Sequence, residues 1–160
     1  MDVSVILTNI VIYRVSLMNI SCPQCNVTNR IPQERLGDKP KCGKCKHLMF
    51  NAQPLALTSG NFAKQVLKNE LPVLVDCWAS WCGPCQQFAP IFTEAAAQFE
   101  PHVRLLKLDT EQEQGIAGQW NIRSIPTLIL FQQGKEVARM SGVMPVTELK
   151  KWLLSNGVRV

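Results

Sequence analysis

The chain has 160 residues, 46% apolar and 18% charged, which suits one compact domain with a small appendage and is too short for two full-sized domains. It lacks the low hydrophobicity and high charge of a disordered chain, and seven cysteines, an odd number, cannot all be consumed by intramolecular disulfides. The net charge of +5 lies mostly in front: residues 1–53 carry seven basic and three acidic side chains, residues 54–160 ten and nine. The excess is modest and local, so nucleic-acid binding is at best weakly supported.

The first twenty residues, MDVSVILTNIVIYRVSLMNI, are apolar yet fit neither a signal peptide nor a membrane span. Asp2 stands where a base should precede the apolar stretch, no small-residue cleavage site follows, and Asn9, Arg14 and Asn19 interrupt the run. Residues 1–17 read either as an extension ahead of a true start at Met18, four residues before Cys22, or as a short extra strand.

Residues 18–53 hold two CxxC pairs, Cys22/Cys25 and Cys42/Cys45, with sixteen residues between them. A two-residue spacer lets both sulfurs of a pair face one ion, and two such knuckles supply the four thiolates of a closed structural zinc site. One Zn2+ per chain is therefore expected, with Gly43 easing the second knuckle. A segment of roughly 25–30 residues cannot bury enough apolar surface to fold unaided, so the metal would replace a core. Two disulfides are the competing arrangement, disfavoured without an export signal. Haem attachment fails because His47 stands two residues beyond Cys45 rather than next to it, and four sulfurs leave His47 no place as a ligand.

From residue 54 to 160 strands and helices alternate. PLALT at 54–58 begins as a strand, and a helix near 59–69 places Phe62, Val66 and Leu67 on one face. LPVLVDCW at 71–78 is almost continuously apolar, as in a central strand covered on both faces, and runs into ASWCGPC. In 84–99, Phe88, Ile91, Phe92, Ala95, Ala96 and Phe99 make a helical stripe, with a kink expected at Pro90. VRLLKLD at 103–109 is a strand and 112–120 a short helix. PTLILF at 126–131 and KEVARMS at 135–141 form a hairpin through QQG. A last helix after Pro145 buries Val146, Leu149, Trp152 and Leu153 and stops at Asn156-Gly157. The order is βαβαβαββα.

The chemistry lies in Trp81-Cys82-Gly83-Pro84-Cys85, between a strand and a helix. A CxxC opening a helix is a dithiol/disulfide couple. Unpaired N–H groups and the helix dipole favour the thiolate of Cys82, the nucleophile, while Cys85, one turn deeper, resolves the mixed disulfide. Gly83-Pro84 offers no charge to favour an oxidant, so a reductant is inferred. A zinc role for this pair would lack partners, since four sulfurs already close the upstream site and only Cys77 remains.

Asp76 breaks the apolar run of its strand, and a buried unpaired carboxylate costs several kcal/mol. Desolvation raises such a pKa, making Asp76 a proton acceptor for Cys85, unless it caps neighbouring backbone instead. Lys107 either pairs with Asp76 or sits on an exposed face. Cys77, alone in a buried strand, reads as a small hydrophobe. Pro126, at the first residue of a strand, fits with either a cis or a trans bond.

Together these residues resemble the thioredoxin family, and within it the thioredoxin 2 group, bacterial forms with an N-terminal zinc-binding segment. WCGPC is the family's active-site motif, and the likeness extends over about 55–155 through Asp76, Trp78, Pro90, Lys107, Ile125-Pro126, Gly134 and Gly142. Cys22, Cys25, Cys42 and Cys45 match the zinc segment. The resemblance implies an α/β thioredoxin fold, a five-stranded mixed sheet flanked by four helices, with a small N-terminal zinc ribbon. It implies cis Pro126 facing the disulfide and a substrate groove of Trp81, Gly83, Pro84, Ile125, Pro126 and Gly142. It further implies a protein-disulfide reductase in cell redox homeostasis and oxidative stress, a thiol-disulfide oxidoreductase in electron transport. Its partners would be protein disulfides and thioredoxin reductase with NADPH, in the cytoplasm, with no nucleic acid or membrane and as a monomer. Residues 1–17 lie outside the family pattern, and Cys77 stands where the family often has an aromatic residue.

Two other functions compete. A zinc-ribbon binding module with an inert redox-like scaffold would need clustered basic and aromatic surface, yet 22–50 contains only Phe50 as an aromatic. An oxidase or isomerase is opposed by Gly83-Pro84 and the missing export signal.

Overall fold

A computed structural model describes residues 15–160; the expected extension or extra strand over 1–17 lies outside them except for its last three residues. The front lobe is built from two hairpins. Strands β1 (Leu17–Ser21) and β2 (Thr28–Pro32) pair antiparallel around the first CxxC, and a bridge between Lys41 and Leu48 closes the second hairpin. Its small apolar cluster consists of Ile20, Cys22, Ile31, Leu36, Cys42 and Met49, joined by Leu71 from the following domain.

The rest is one mixed sheet in the order β3-β5-β4-β6-β7, where β3 is Leu55–Ala56, β4 Val73–Trp78, β5 Arg104–Asp109, β6 Thr127–Gln132 and β7 Lys135–Ser141. The three strands β3, β5 and β4 are parallel, and β6 and β7 run antiparallel to their neighbours. Helices α1 (Gly83–Phe99), α2 (Gln114–Gln119) and α3 (Val146–Ser155) flank it.

Side chains alternate along β4. Leu74 packs with α1 and α3 through Phe88, Phe92, Phe99, Leu149 and Leu153. Val73, Val75 and Cys77 pack on the other face with Val66 and Ile116. The near-continuous apolar run of this strand follows from its having both faces covered.

The fourth helix corrects the expectation for 59–69. It is a π-helical turn, Ala63–Leu67, closed by an i→i+5 bond from the Lys68 N–H to the Ala63 carbonyl. The extra residue in the turn rotates Gln65 inward to full burial and leaves Leu67 48% exposed, where a regular helical stripe had Leu67 inside. Phe62 and Val66 do face the core.

Two turns end as their residues dictate. The β6–β7 hairpin turns through Gln133 and Gly134, both at positive φ, and a Cβ at Gly134 would lie 2.8 Å from the Leu67 carbonyl oxygen. Helix α3 stops at Gly157 (φ 80), with the N–H groups of Gly157 and Val158 bonded to the carbonyls of Leu154 and Leu153.

Candidate functional site

The dithiol stands where β4 ends and α1 begins. Cys82 is the N-cap of α1, and the Cys85 N–H points at its Sγ over 3.2 Å. Pro84 fits the first helical turn because its missing N–H would have no intrahelical acceptor. Cys82 and Cys85 are joined as a disulfide with Cα atoms 5.2 Å apart. Both are nearly buried, whereas Trp81 beside them is 69% exposed. On reduction, Cys82 would take up its charge at the N-terminus of a 17-residue helix, where free N–H groups stabilise an anion.

Across from the pair, the Ile125–Pro126 peptide is cis, and the Ile125 carbonyl oxygen lies 3.7 Å from Cys82 Sγ. A groove of about 530 Å³ is lined by Trp81, Cys82, Gly83 and Pro84 from the active-site turn and by Ile122, Arg123, Ser124 and Ile125 from the segment before β6, together with Thr110. Four of the six expected groove residues, Trp81, Gly83, Pro84 and Ile125, line it. Pro126 is buried and Gly142 adjoins it, its N–H donating to the Pro126 carbonyl at 3.0 Å. Neither belongs to this groove's lining.

Sequence reasoning missed Ile122, Arg123 and Glu111. The Trp81 indole N–H donates to Glu111 Oε1 at 3.0 Å, and Ser80 Oγ donates to Oε2 at 3.3 Å. Glu111 follows β5, and only the β4–β5 pairing brings it beside Trp81.

Asp76 lies on the α1 face of β4, the face shared by Leu74 and by the buried side of α1. Its side chain is fully buried, and neither carboxylate oxygen has a hydrogen-bond partner among the described residues, so it caps none of their backbone groups. Burial pushes its pKa up to about 7, with the Lys107 charge partly opposing that rise. Lys107 is the residue opposite Asp76 in β5. It forms no ion pair with Asp76 and places its Nζ 4.8 Å from the centre of the Trp78 ring. A carboxyl poised near neutrality, buried on the helix side of the sheet, suits proton exchange.

Cys77 is on the opposite face, buried among Val66, Val75, Leu106 and Ile129. Burial, then the neighbouring Asp76 charge, pushes its thiol up to about 12. Its burial in this apolar cluster agrees with its reading as a small hydrophobe.

In the front lobe the two CxxC loops are built alike. In each, the first cysteine's carbonyl accepts from the residue after the second cysteine, Asn26 at 3.1 Å and Lys46 at 3.0 Å. Those two residues turn the chain at positive φ. Backbone N–H groups of Gln24 and Lys44 point at Cys22 and Cys42 Sγ, both at 3.4 Å. Across the loops, Cys22 and Cys45 sulfurs are 3.6 Å apart and Cys25 and Cys42 3.7 Å, and all four lie within 4.8 Å of one another. Tetrahedral ligands at a Zn–S distance of about 2.3 Å stand about 3.8 Å apart, so the donor set fits such an ion. Asn29, unremarked in the sequence, ties the loops together: its amide donates to Val27 O and Cys42 Sγ, and its Oδ1 accepts from the Gly43 N–H.

A disulfide closed across a helix N-terminus, facing a cis-proline loop under an exposed tryptophan, is the centre of a thiol-disulfide oxidoreductase. The chain belongs to the thioredoxin family: the family model described as Thioredoxin matches residues 53–155, and that described as Thioredoxin 2, N-terminal, matches residues 21–47. Thioredoxin C-3 of Corynebacterium nephridii is 43% identical over 136 residues, 85% of this chain and 93% of the relative. Thioredoxin 1 of Synechococcus elongatus is 43% identical over 98 residues, 61% of this chain and 92% of its own length. The thioredoxin of Haemophilus influenzae is 35% identical over 102 residues, covering 64% and 95%.

Proposed function

We propose that this thioredoxin reduces protein disulfides with Cys82 as nucleophile, Cys85 as resolving thiol and Asp76 as proton acceptor. The observation that supports this most is the closed Cys82–Cys85 pair at the start of α1. The Cys82 thiolate attacks one sulfur of the substrate disulfide, forming a mixed disulfide and releasing one substrate thiolate, which takes a proton from solvent. Cys85 gives its proton to Asp76, directly or through water, and its thiolate attacks Cys82 Sγ. That step releases the second substrate thiolate and closes Cys82–Cys85, so two electrons pass from the dithiol to the substrate. The substrate chain lies in the groove between Trp81 and Ile125, beside Pro126 and Gly142.

Thioredoxin reductase, drawing electrons from NADPH, reopens the disulfide, and the protein works as a cytoplasmic monomer in redox homeostasis, oxidative stress and electron transport. Among the described residues no helix is long and apolar enough to cross a membrane. Cys22, Cys25, Cys42 and Cys45 hold one structural zinc, which an all-thiolate tetrahedral donor set suits. Residues 18–53 are the zinc-binding segment and 54–160 the catalytic domain, with 1–17 an extension. The test is a coupled assay with NADPH, thioredoxin reductase and a model protein disulfide, with zinc measured on the same sample. NADPH consumption that stops when Cys82 is replaced, and one zinc per chain, are the expected results.

A further inference from the structure

We infer that Arg104 is the anchor by which the catalytic domain holds the metal-binding lobe, so that metal retention and docking of the lobe depend on one buried cation. The inference rests on the zinc reading of the four cysteines.

Arg104 opens β5 in the catalytic domain and its side chain is 1% exposed. Its Nη2 donates to the Met49 carbonyl at 2.9 Å and lies 3.4 Å from the Ser21 carbonyl. These carbonyls flank the metal-binding loops, Ser21 directly before Cys22 and Met49 four residues after Cys45. The guanidinium also lies 5.1 Å from the centre of the Phe50 ring. On its other side, Nη1 is 3.6 Å from Glu100 Oε1, and Glu100 Oε2 accepts the Ala52 N–H at 2.7 Å. One arginine thus grips the lobe on both sides of its four cysteines.

The charges explain why a cation belongs there. Four thiolates around a divalent ion carry a net −2. Burial works against the charged guanidinium, and Glu100 and then Cys22 favour it. A buried cation beside a buried anionic centre offsets the desolvation of both, and removing either leaves the other uncompensated. Gln65 adds a second tie. Its Nε2 donates to the Cys22 carbonyl and to Asn26 Oδ1, both at 2.9 Å, and Ser21 Oγ donates to the Lys64 carbonyl at 2.6 Å. The π-helical turn that holds Gln65 therefore belongs to the same contact, at the end of β4 opposite the dithiol.

The test compares the reduced, zinc-loaded full chain with its Arg104→Gln, Arg104→Lys and Leu74→Ala variants, using zinc competition with a chromophoric chelator. Removal of a supporting partner of a metal site typically weakens binding about 10–100-fold. Arg104→Gln should weaken zinc within that range, Arg104→Lys less. Leu74→Ala, which cuts the core between the sheet and α1, should keep wild-type zinc affinity. Zinc affinity of Arg104→Gln within twofold of wild type, or an equal loss in Leu74→Ala, overturns the inference. Hydrogen exchange on the wild-type chain provides the reciprocal measurement, which needs no variant to fold. Stripping zinc should speed exchange at the amides of 63–67 and at Arg104 while leaving α3 unchanged, and unchanged protection at 63–67 and 104 would equally overturn it. A wild-type chain that binds no zinc defeats the metal reading itself.

Discussion

The same four-residue motif occurs three times in this chain and does two different things. At Cys22/Cys25 and Cys42/Cys45 the backbone reverses just after the second cysteine, at Asn26 and Lys46 in the left-handed region, so each pair turns its sulfurs toward the other pair. At Cys82/Cys85 the backbone continues into a 17-residue helix, and the pair has only itself to bond. Spacing makes two sulfurs neighbours; the path of the chain afterwards decides whether four meet around an ion or two exchange electrons. Burial sharpens the contrast, because the front lobe has one small apolar cluster, whereas the catalytic domain has two full cores.

The strongest way to break this comparison is to remove one sulfur from each kind of pair. Cys82→Ser should reduce disulfide reduction to background and trap nothing, whereas Cys85→Ser should accumulate substrates as mixed disulfides. Gel analysis of trapped adducts checks this, and equal trapping by both variants would refute the division of roles.

Cys42→Ser should lower zinc content from one per chain to none after dialysis while disulfide reduction persists, as elemental analysis with the coupled assay would show. Metal binding supplies most of a small lobe's folding free energy. Strong oxidant should likewise eject zinc and loosen the lobe while residues 54–160 stay folded, since thiolate oxidation competes with metal binding. Undiminished zinc affinity in Cys42→Ser would sink the four-sulfur site.

Asp76→Asn separates catalysis from stability. Release of the mixed disulfide should slow about 10–100-fold near neutral pH, with the defect shrinking at alkaline pH as Cys85 ionises unaided. Stability should move the other way. The folded pKa of about 7 lies above the ordinary aspartate value of 3.8, so between these values the folded state binds the proton that the unfolded state has lost. The stabilisation tied to that proton is complete below pH 3.8 and is lost as pH rises through 7. The variant should match wild type in acid and exceed it by roughly 4 kcal/mol above neutrality. Denaturant titrations from pH 4 to 8, with stopped-flow reduction across pH 6–9, measure both. A variant that is less stable and kinetically normal would make the carboxylate structural.

The smallest effect belongs to Cys77. With its thiol pushed up to about 12 and its side chain on the face away from α1, Cys77→Val should leave turnover within twofold and change stability by less than about 1.5 kcal/mol. A marked change in turnover would make it a third redox thiol.

Local patterns determined much of this protein. The stripe from Phe88 to Phe99 specifies an amphipathic helix, the covered run of β4 a central strand, and three CxxC pairs a metal lobe and a redox centre, because period and spacing are written residue by residue. The conformation of Pro126 rested on resemblance, since a strand's first residue accepts either isomer. Other facts depend on neighbours far apart in sequence, and tertiary structure alone decided them. The π turn buries Gln65 because the lobe offers it Cys22 and Asn26. Glu111 meets Trp81 because β5 lies beside β4. Arg104 opens an apolar strand with a charge that makes physical sense only once residues 21, 49 and 100 converge on it. A buried polar group is specified by its partners, and those are set by the fold rather than by any local stretch of sequence.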